Sequence, residues 1–252
     1  MFDQPWLFQI IENYPADWSM FFDRLIWQQM EAEWLTTPLL RLYTWRTPTI
    51  SIGYHQKISD FDLTKIARNG ISIVRRPTGG RAVFHSQDIT YSVITPLVNN
   101  SPQQIYEWIH QALHKGLLNL DIDSQFEQNK FTKTIQGEIP KTCFSSSARW
   151  ELKIASKKLV GSAQRVGQRA ILQHGSIPIT AEHQNIFTYL NEPPEKKIRL
   201  KLFYETHTAS LNEASQKKFD PAHPSDLFNS LKNGFAEAFN IIDWQPVTTS
   251  WT

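Results

Sequence analysis

The sequence predicts an α+β fold, a mixed β-sheet core flanked by helices, on three observations. Short apolar runs with a two-residue alternation fill the middle of the 252-residue chain. Apolar residues at helical spacing lie toward both ends, as in Phe22, Ile26, Met30 and in Leu227, Leu231, Phe235, Phe239. No internal repeat, low-complexity tract or linker interrupts them, so residues 1–252 read as a single domain.

Ser19 is positioned to cap a helix reaching about Trp34, with Phe22, Ile26, Met30 and Trp34 inward and Pro38 as its stop. Residues 40–45 alternate as a half-buried strand, and 49–54 form a second. Residues 60–68 read as a short helix stopped by Asn69-Gly70, and 71–74 as a strand. The stretch Arg75-Arg76-Pro77-Thr78-Gly79-Gly80-Arg81 then interrupts the pattern before Ala82-Val83-Phe84 resumes it, and 89–94 is a further strand. Ser101, Pro102 and Gln104 supply cap, first helical position and capping box for a helix to about Leu118, with Ile105, Trp108, Ala112 and Leu113 inward. Residues 121–141 are polar and weakly patterned, as in a loop. Strands follow at 150–154, 159–163 and 170–173, then a short helix at 186–190 that Pro193-Pro194 breaks. Pro224-Ser225 starts the last helix.

Composition excludes several classes. A net charge of +2 lacks the basic excess of an electrostatic nucleic-acid binder. No run of about 18 apolar residues is present, so no membrane span is expected. Met1-Phe2-Asp3-Gln4-Pro5 lacks the basic region of a signal peptide. Cys143 is the only cysteine, which forbids an intrachain disulfide and fits a reducing cytoplasm. With no second cysteine and no tight His/Asp/Glu cluster, no metal is expected. No GxxxxGK[ST], GxGxxG or GxSxG pattern occurs, which leaves P-loop, dinucleotide and hydrolase-elbow readings without support. Nine Trp and fifteen Phe could serve a large core or an apolar ligand tunnel.

Taken singly, the candidate residues each have an ordinary reading beside a chemical one. Gly79-Gly80 lets a ligand approach the backbone, and Arg75, Arg76 and Arg81 could meet an anion or a polarised carbonyl; the same stretch could be a basic turn. Cys143 is a nucleophile if a cation holds it as thiolate, or a small core residue. Lys158 could supply that cation and steady an oxyanion, or sit on the surface. Gly161-Ser162-Ala163 would let a ligand lie against the chain, and Gln164 offers an amide. His85 and His174, the latter followed by Gly175-Ser176, are site or structural histidines.

Together, three segments resemble the biotin/lipoate A/B protein ligase family. They are Arg75 to His85 with Asp88-Ile89-Thr90-Tyr91-Ser92, Lys158-Leu159-Val160-Gly161-Ser162-Ala163-Gln164, and Leu172-Gln173-His174-Gly175-Ser176-Ile177. Leu40 to Trp45 and Ser51-Ile52-Gly53-Tyr54-His55-Gln56 add to the likeness, which spans about Trp18 to Phe239. Within the family the chain looks most like the LipM-type octanoyltransferases. Its first motif reads Gly79-Gly80-Arg81 where ATP-using ligases carry three glycines, and Cys143 stands upstream of the Glu151-Leu152 strand, where such transferases carry their nucleophile.

The resemblance implies a biotin/lipoate ligase-like catalytic domain with an acyl tunnel between sheet and loops. It implies a cytoplasmic acyltransferase of lipoate biosynthesis that takes octanoyl from acyl carrier protein onto Cys143. A lysine of a lipoyl domain, such as glycine cleavage H protein or an E2 subunit, then accepts it. Lys158 would lower the Cys143 pKa. Gly79, Gly80 and the Gly161-Ser162-Ala163 backbone would shape the tunnel. Arg76, Arg81, His85, Gln173, His174 and Gly175 match the motifs as substrate-binding residues. No ATP, metal, nucleic acid or membrane is expected, and Arg75 and Lys157 are candidates to steer an acidic carrier. About 75 residues follow the third motif, which predicts no C-terminal accessory domain. An ATP-dependent lipoate-protein ligase, an amidotransferase between lipoyl domains and a non-catalytic acyl or carrier binder are the alternatives. In the N-terminal helix, Ser19-Met20-Phe21-Phe22-Asp23-Arg24 departs from the family, which has smaller residues and an acidic residue after the Asp.

Overall fold

The computed structural model describes residues 4–128 and 150–247. It is built of β1 (Trp6–Tyr14), α1 (Ala16–Glu31), β2 (Leu39–Trp45), β3 (Thr49–Ile52), α2 (Leu63–Arg68), β4 (Ser72–Arg75), β5 (Val83–His85), β6 (Asp88–Pro96) and α3 (Pro102–Leu118). There follow β7 (Gln125–Gln128), β8 (Trp150–Ile154), β9 (Lys157–Lys158), β10 (Gly161–Val166), β11 (Ala170–Pro178), α4 (Pro194–His207), α5 (Leu211–Ala214), α6 (Ser225–Phe239) and β12 (Trp244–Pro246). Short 3-10 turns cover Ile58–Asp60 and Ala181–Tyr189.

The described strands form three sheets. The largest has the order β10-β11-β6-β2-β1-β12. Its β1 pairs in parallel with β2 and β12, and β2, β6, β11 and β10 pair antiparallel in turn, which makes the sheet mixed as expected. The other two sheets are β4-β3-β5 and β7-β8-β9.

Side chains alternate across a strand, so the register of the large sheet decides which residues share a face. Ala163, His174, Ser92, Arg41 and Gln9 stand in one cross-sheet row, and Ser162, Gly175, Tyr91 and Leu42 in the next. One face carries α1, against which Ile94, Leu172 and Leu39 meet Phe22, Ile26 and Met30. The other carries α3 and α6, packed on Leu40, Tyr91, Val93 and Ile171. Phe228, Phe235 and Phe239 are fully buried there, each contributing about 1.5–3 kcal/mol. The two helices approach closely because small residues face each other: a Cβ on Gly234 would come within 2.3 Å of the Gly116 amide nitrogen.

Local signals act as expected where they are self-contained. Ser101 Oγ accepts the Gln104 N–H and Gln104 Oε1 accepts the Ser101 N–H, closing the capping box of α3. Other expectations are corrected. Helix α1 begins after Pro15, so Ser19 is buried inside it and caps nothing. It ends at Glu31, and Glu33 turns left-handed at φ 61°, which swings Trp34 out to 84% exposure. The segment expected as a helix at 186–190 is the end of the 3-10 turn Ala181–Tyr189 and does stop before Pro193-Pro194, which also start α4, with Pro194 in the first turn, where its missing N–H costs nothing. Residues 125–128, expected in a loop, pair with β8 because Phe126 gains a place against the core; the rest of that segment lies outside the described residues.

Candidate active site

A cavity of about 320 Å³, mouth included, opens where the large sheet meets the β4-β3-β5 sheet. Gly161, Ser162, Ala163 and Gly175 line it with short side chains that leave room. Met20, Tyr43, Trp45 and Val83 give it apolar walls, and Arg76, His85 and His174 give it polar ones.

Two buried carboxylates organise the polar walls. Asp23, on α1, receives hydrogen bonds from Arg41, from Ser92 Oγ (2.9 Å) and from His174 Nδ1 (3.2 Å). Burial alone would raise its carboxyl, but Arg41, His174 and Ser92 outweigh that and hold it below the ordinary carboxylate value. Burial keeps His174 below its ordinary value despite Asp23, so the ring is neutral. Its Nδ1–H then faces Asp23, and Nε2 accepts the Thr78 hydroxyl at 2.6 Å. The chain Asp23–His174–Thr78 therefore ties α1 and β11 to the turn that precedes Gly79-Gly80.

Asp88 does the same for His85. Its Oδ2 lies 2.8 Å from His85 Nδ1 and accepts Ser176 Oγ at 2.5 Å. The other ring nitrogen lies 2.8 Å from Ser51 Oγ, and Trp45 stacks on the ring at 4.3 Å. His85 is thus held on two edges and one face.

Arg76 shapes the glycine loop. Its guanidinium donates to Ser51 O (2.9 Å), Gly79 O (2.8 Å) and Arg81 O (2.6 Å), which uses the side chain to clamp backbone. Gly80 is left-handed at φ 85°, and a Cβ on Gly53 would lie 2.0 Å from Gly80 O, so Gly80 is required by its own backbone angle and Gly53 by the Gly80 carbonyl. Gly79, Gly80 and Arg81 form the clamped loop and are not part of the cavity wall.

Gln173 faces away from the cavity because it neighbours His174 on a strand. It donates to Tyr91 Oη (3.2 Å), which donates to Ser162 Oγ (2.7 Å). Ser162 also meets His110 Nε2 at 3.1 Å, while His110 Nδ1 donates to Tyr106 O at 2.8 Å. Burial pushes the His110 imidazole down to about 4, and His183, buried between Thr180 O and Thr208, likewise to about 4.

Both rings are neutral in the fold but take a proton near 6.5 once unfolded. Between pH 6.5 and about 4 the unfolded chain therefore binds more protons, so stability is full above that window and is lost as pH falls through it. Denaturant titrations should show a loss of up to about 1.4 kcal/mol per pH unit for each histidine. A flat profile from pH 7 to 4 in the wild type would contradict the neutral assignment.

Lys158 is buried on β9, on the third sheet, and its Nζ lies 2.8 Å from Glu151 Oε1. Two residues, Leu159 and Val160, separate it from Gly161 on the cavity wall. Cys143 lies outside the described residues.

The fold thus brings Arg76, His85, Gly161, Ser162, Ala163, His174 and Gly175 to one cavity and leaves Gln173 behind it. Asp23, Asp88, His110 and Glu151 bond to His174, His85, Ser162 and Lys158 respectively, and Arg41 pairs with Asp23; no sequence motif marks these contacts. The lipoyl protein ligase A/B catalytic-domain family model matches residues 15–230. The chain belongs to that family. Curated members include octanoyltransferase LipM of Kyrpidia tusciae, 36% identical over 209 residues, which are 80% of this chain and 75% of that one. Octanoyltransferase LipM of Geobacillus kaustophilus is 30% identical over 251 residues, 96% of this chain and 89% of that one. The lipoyl protein ligase A/B architecture is shared with the bi-partite lipoate protein ligase of an archaeal lipoylation system from Thermoplasma acidophilum. There the TM-score is 0.74 at 20% identity, over 98% of this chain and 88% of that one, a likeness of fold. In this family member no helix among the described residues is long and apolar enough to cross a membrane.

Proposed function

We propose that the protein is an octanoyltransferase of lipoate biosynthesis, moving octanoyl from acyl carrier protein to a lysine of a lipoyl domain. The observation that carries this reading is its 30–36% identity, across most of its length, to octanoyltransferases. Met20, Tyr43, Trp45 and Val83 on the cavity walls are apolar side chains of the kind an acyl chain packs against.

The reaction has two balanced steps. The Cys143 thiolate attacks the carrier thioester, a new thioester forms, and the carrier thiolate leaves and takes a proton. The acceptor amine then attacks the Cys143 thioester, the amide forms, and the cysteine leaves as thiolate while the amine proton passes to solvent or a base. Both steps start from an activated thioester, so neither calls on ATP or a metal. The acceptor class is a lipoyl domain, such as that of glycine cleavage H protein or an E2 subunit, and the lone thiol suits the cytoplasm. His85 and His174 serve as fixed walls, with Gly161, Ser162, Ala163 and Gly175 as the floor.

Lys158 is assigned to favouring the Cys143 thiolate, its own position set by Glu151. Lys158→Ala is expected to shift the pH profile of Cys143 alkylation by iodoacetamide upward by about one unit. An unchanged profile removes Lys158 from that role. The function itself is tested by octanoyl transfer from octanoyl acyl carrier protein to a lipoyl domain in EDTA without ATP. Product under those conditions is expected, whereas transfer that appears only with free octanoate or lipoate and ATP makes the protein a ligase.

A further inference from the structure

A second concavity shares the Met20 and Arg76 walls of the acyl cavity. This groove, about 640 Å³ with its mouth, is lined by Arg24, Arg75 and Arg165 and by Phe21, Tyr54 and Pro77. Asp17 is its one acidic lining residue. Arg165 lies 4.1 Å from the Trp27 ring and donates to Pro77 O, so its fork is held at the groove. Arg75 is clamped to the carbonyls of Gly53, Tyr54 and Gln56. Among the described residues, none of Arg24, Arg75 and Arg165 has a carboxylate partner. Trp18, Phe21 and Tyr54 stand exposed beside them at 61, 45 and 51%. Lys157, the other steering candidate, donates to Glu205 O at 2.8 Å and is not among the groove's lining residues.

Arginines without a carboxylate partner among the described residues therefore share one groove on a chain whose net charge is only +2. Arginine forks without carboxylates suit a phosphate, and exposed aromatics beside them suit the apolar side of a docked helix. We propose that this groove docks the acyl donor, an acidic carrier domain whose phosphodiester-linked arm lies against Arg24 and Arg165. The inference rests on the octanoyltransferase reading. A lipoyl domain carries no such phosphate, which makes the donor rather than the acceptor the occupant. The shared Met20 and Arg76 walls place the docked domain beside the acyl cavity.

The test is binding of fluorescently labelled holo acyl carrier protein to the full chain, followed by anisotropy. Arg24 is exposed, so Arg24→Glu spares the core; Arg165→Gln is the second variant. The dissociation constant is expected to rise about tenfold or more for Arg24→Glu and several-fold for Arg165→Gln, and to rise with salt in the wild type. The apo carrier, lacking the arm, should bind more weakly than the holo form, and affinity for a lipoyl domain should not change. Wild-type affinity for the holo carrier in both variants overturns the proposal. So does a loss confined to the lipoyl domain, or tighter binding of a single-stranded oligonucleotide than of the carrier. Failure of the transferase reading is seen separately, as no octanoyl transfer by the wild type from either octanoyl-carrier or a small octanoyl thioester.

Discussion

Replacing Asp23 with alanine is expected to destabilise the fold by about 3–5 kcal/mol, measured by urea denaturation. The carboxylate is fully buried and is the charge partner of Arg41, itself only 1% exposed. Removing it leaves a buried guanidinium without its anion and takes partners from Ser92 and His174. The rings of Phe22 and Tyr43, 4.5 and 5.0 Å from the guanidinium carbon, cannot replace a carboxylate. Arg169→Ala, at the exposed ion pair with Glu33, is the comparison and should cost at most about 0.5 kcal/mol. If the two variants lost the same stability, the buried network would not be what joins α1 to the sheet.

Cys143→Ala is expected to lower octanoyl transfer by about three orders of magnitude or more, with the melting temperature changed little. It is the only cysteine in the chain, so no neighbouring thiol can take over. Serine at this position is a poorer nucleophile without a paired base, so Cys143→Ser should also be inactive. Lys158 and Glu151 remain in both variants, so their removal does not enter the comparison. Transfer at wild-type rate by Cys143→Ala would mean that the amine attacks the carrier thioester directly.

What the sequence reveals here depends on how local each cause is. The α3 capping box needs only residues three apart, and the α6 stripe only one helix, so both are legible. The motif around Gly79-Gly80 is legible as a glycine loop, whereas the bonds of the Arg76 guanidinium to the Gly79 and Arg81 carbonyls are visible only in the fold. The Asp23 network is not legible because its partners stand 18, 69 and 151 residues away. Arg41 alternates with Leu40 and Leu42, a pattern that normally puts the charge in solvent; here α1 covers that face. Gln173 and His174 look alike in a motif, and only strand alternation separates the cavity wall from the layer behind it. The motif residues that line the cavity come from three separated segments, which is why the family likeness located the site when no single residue did.

The most direct test of the central claim is intact-mass spectrometry after incubation with octanoyl acyl carrier protein, without ATP. One octanoyl mass is expected on the wild-type chain, localised to Cys143, lost in Cys143→Ala, and discharged when a lipoyl domain is added. A wild-type chain that carries no adduct yet octanoylates the lipoyl domain would contradict it.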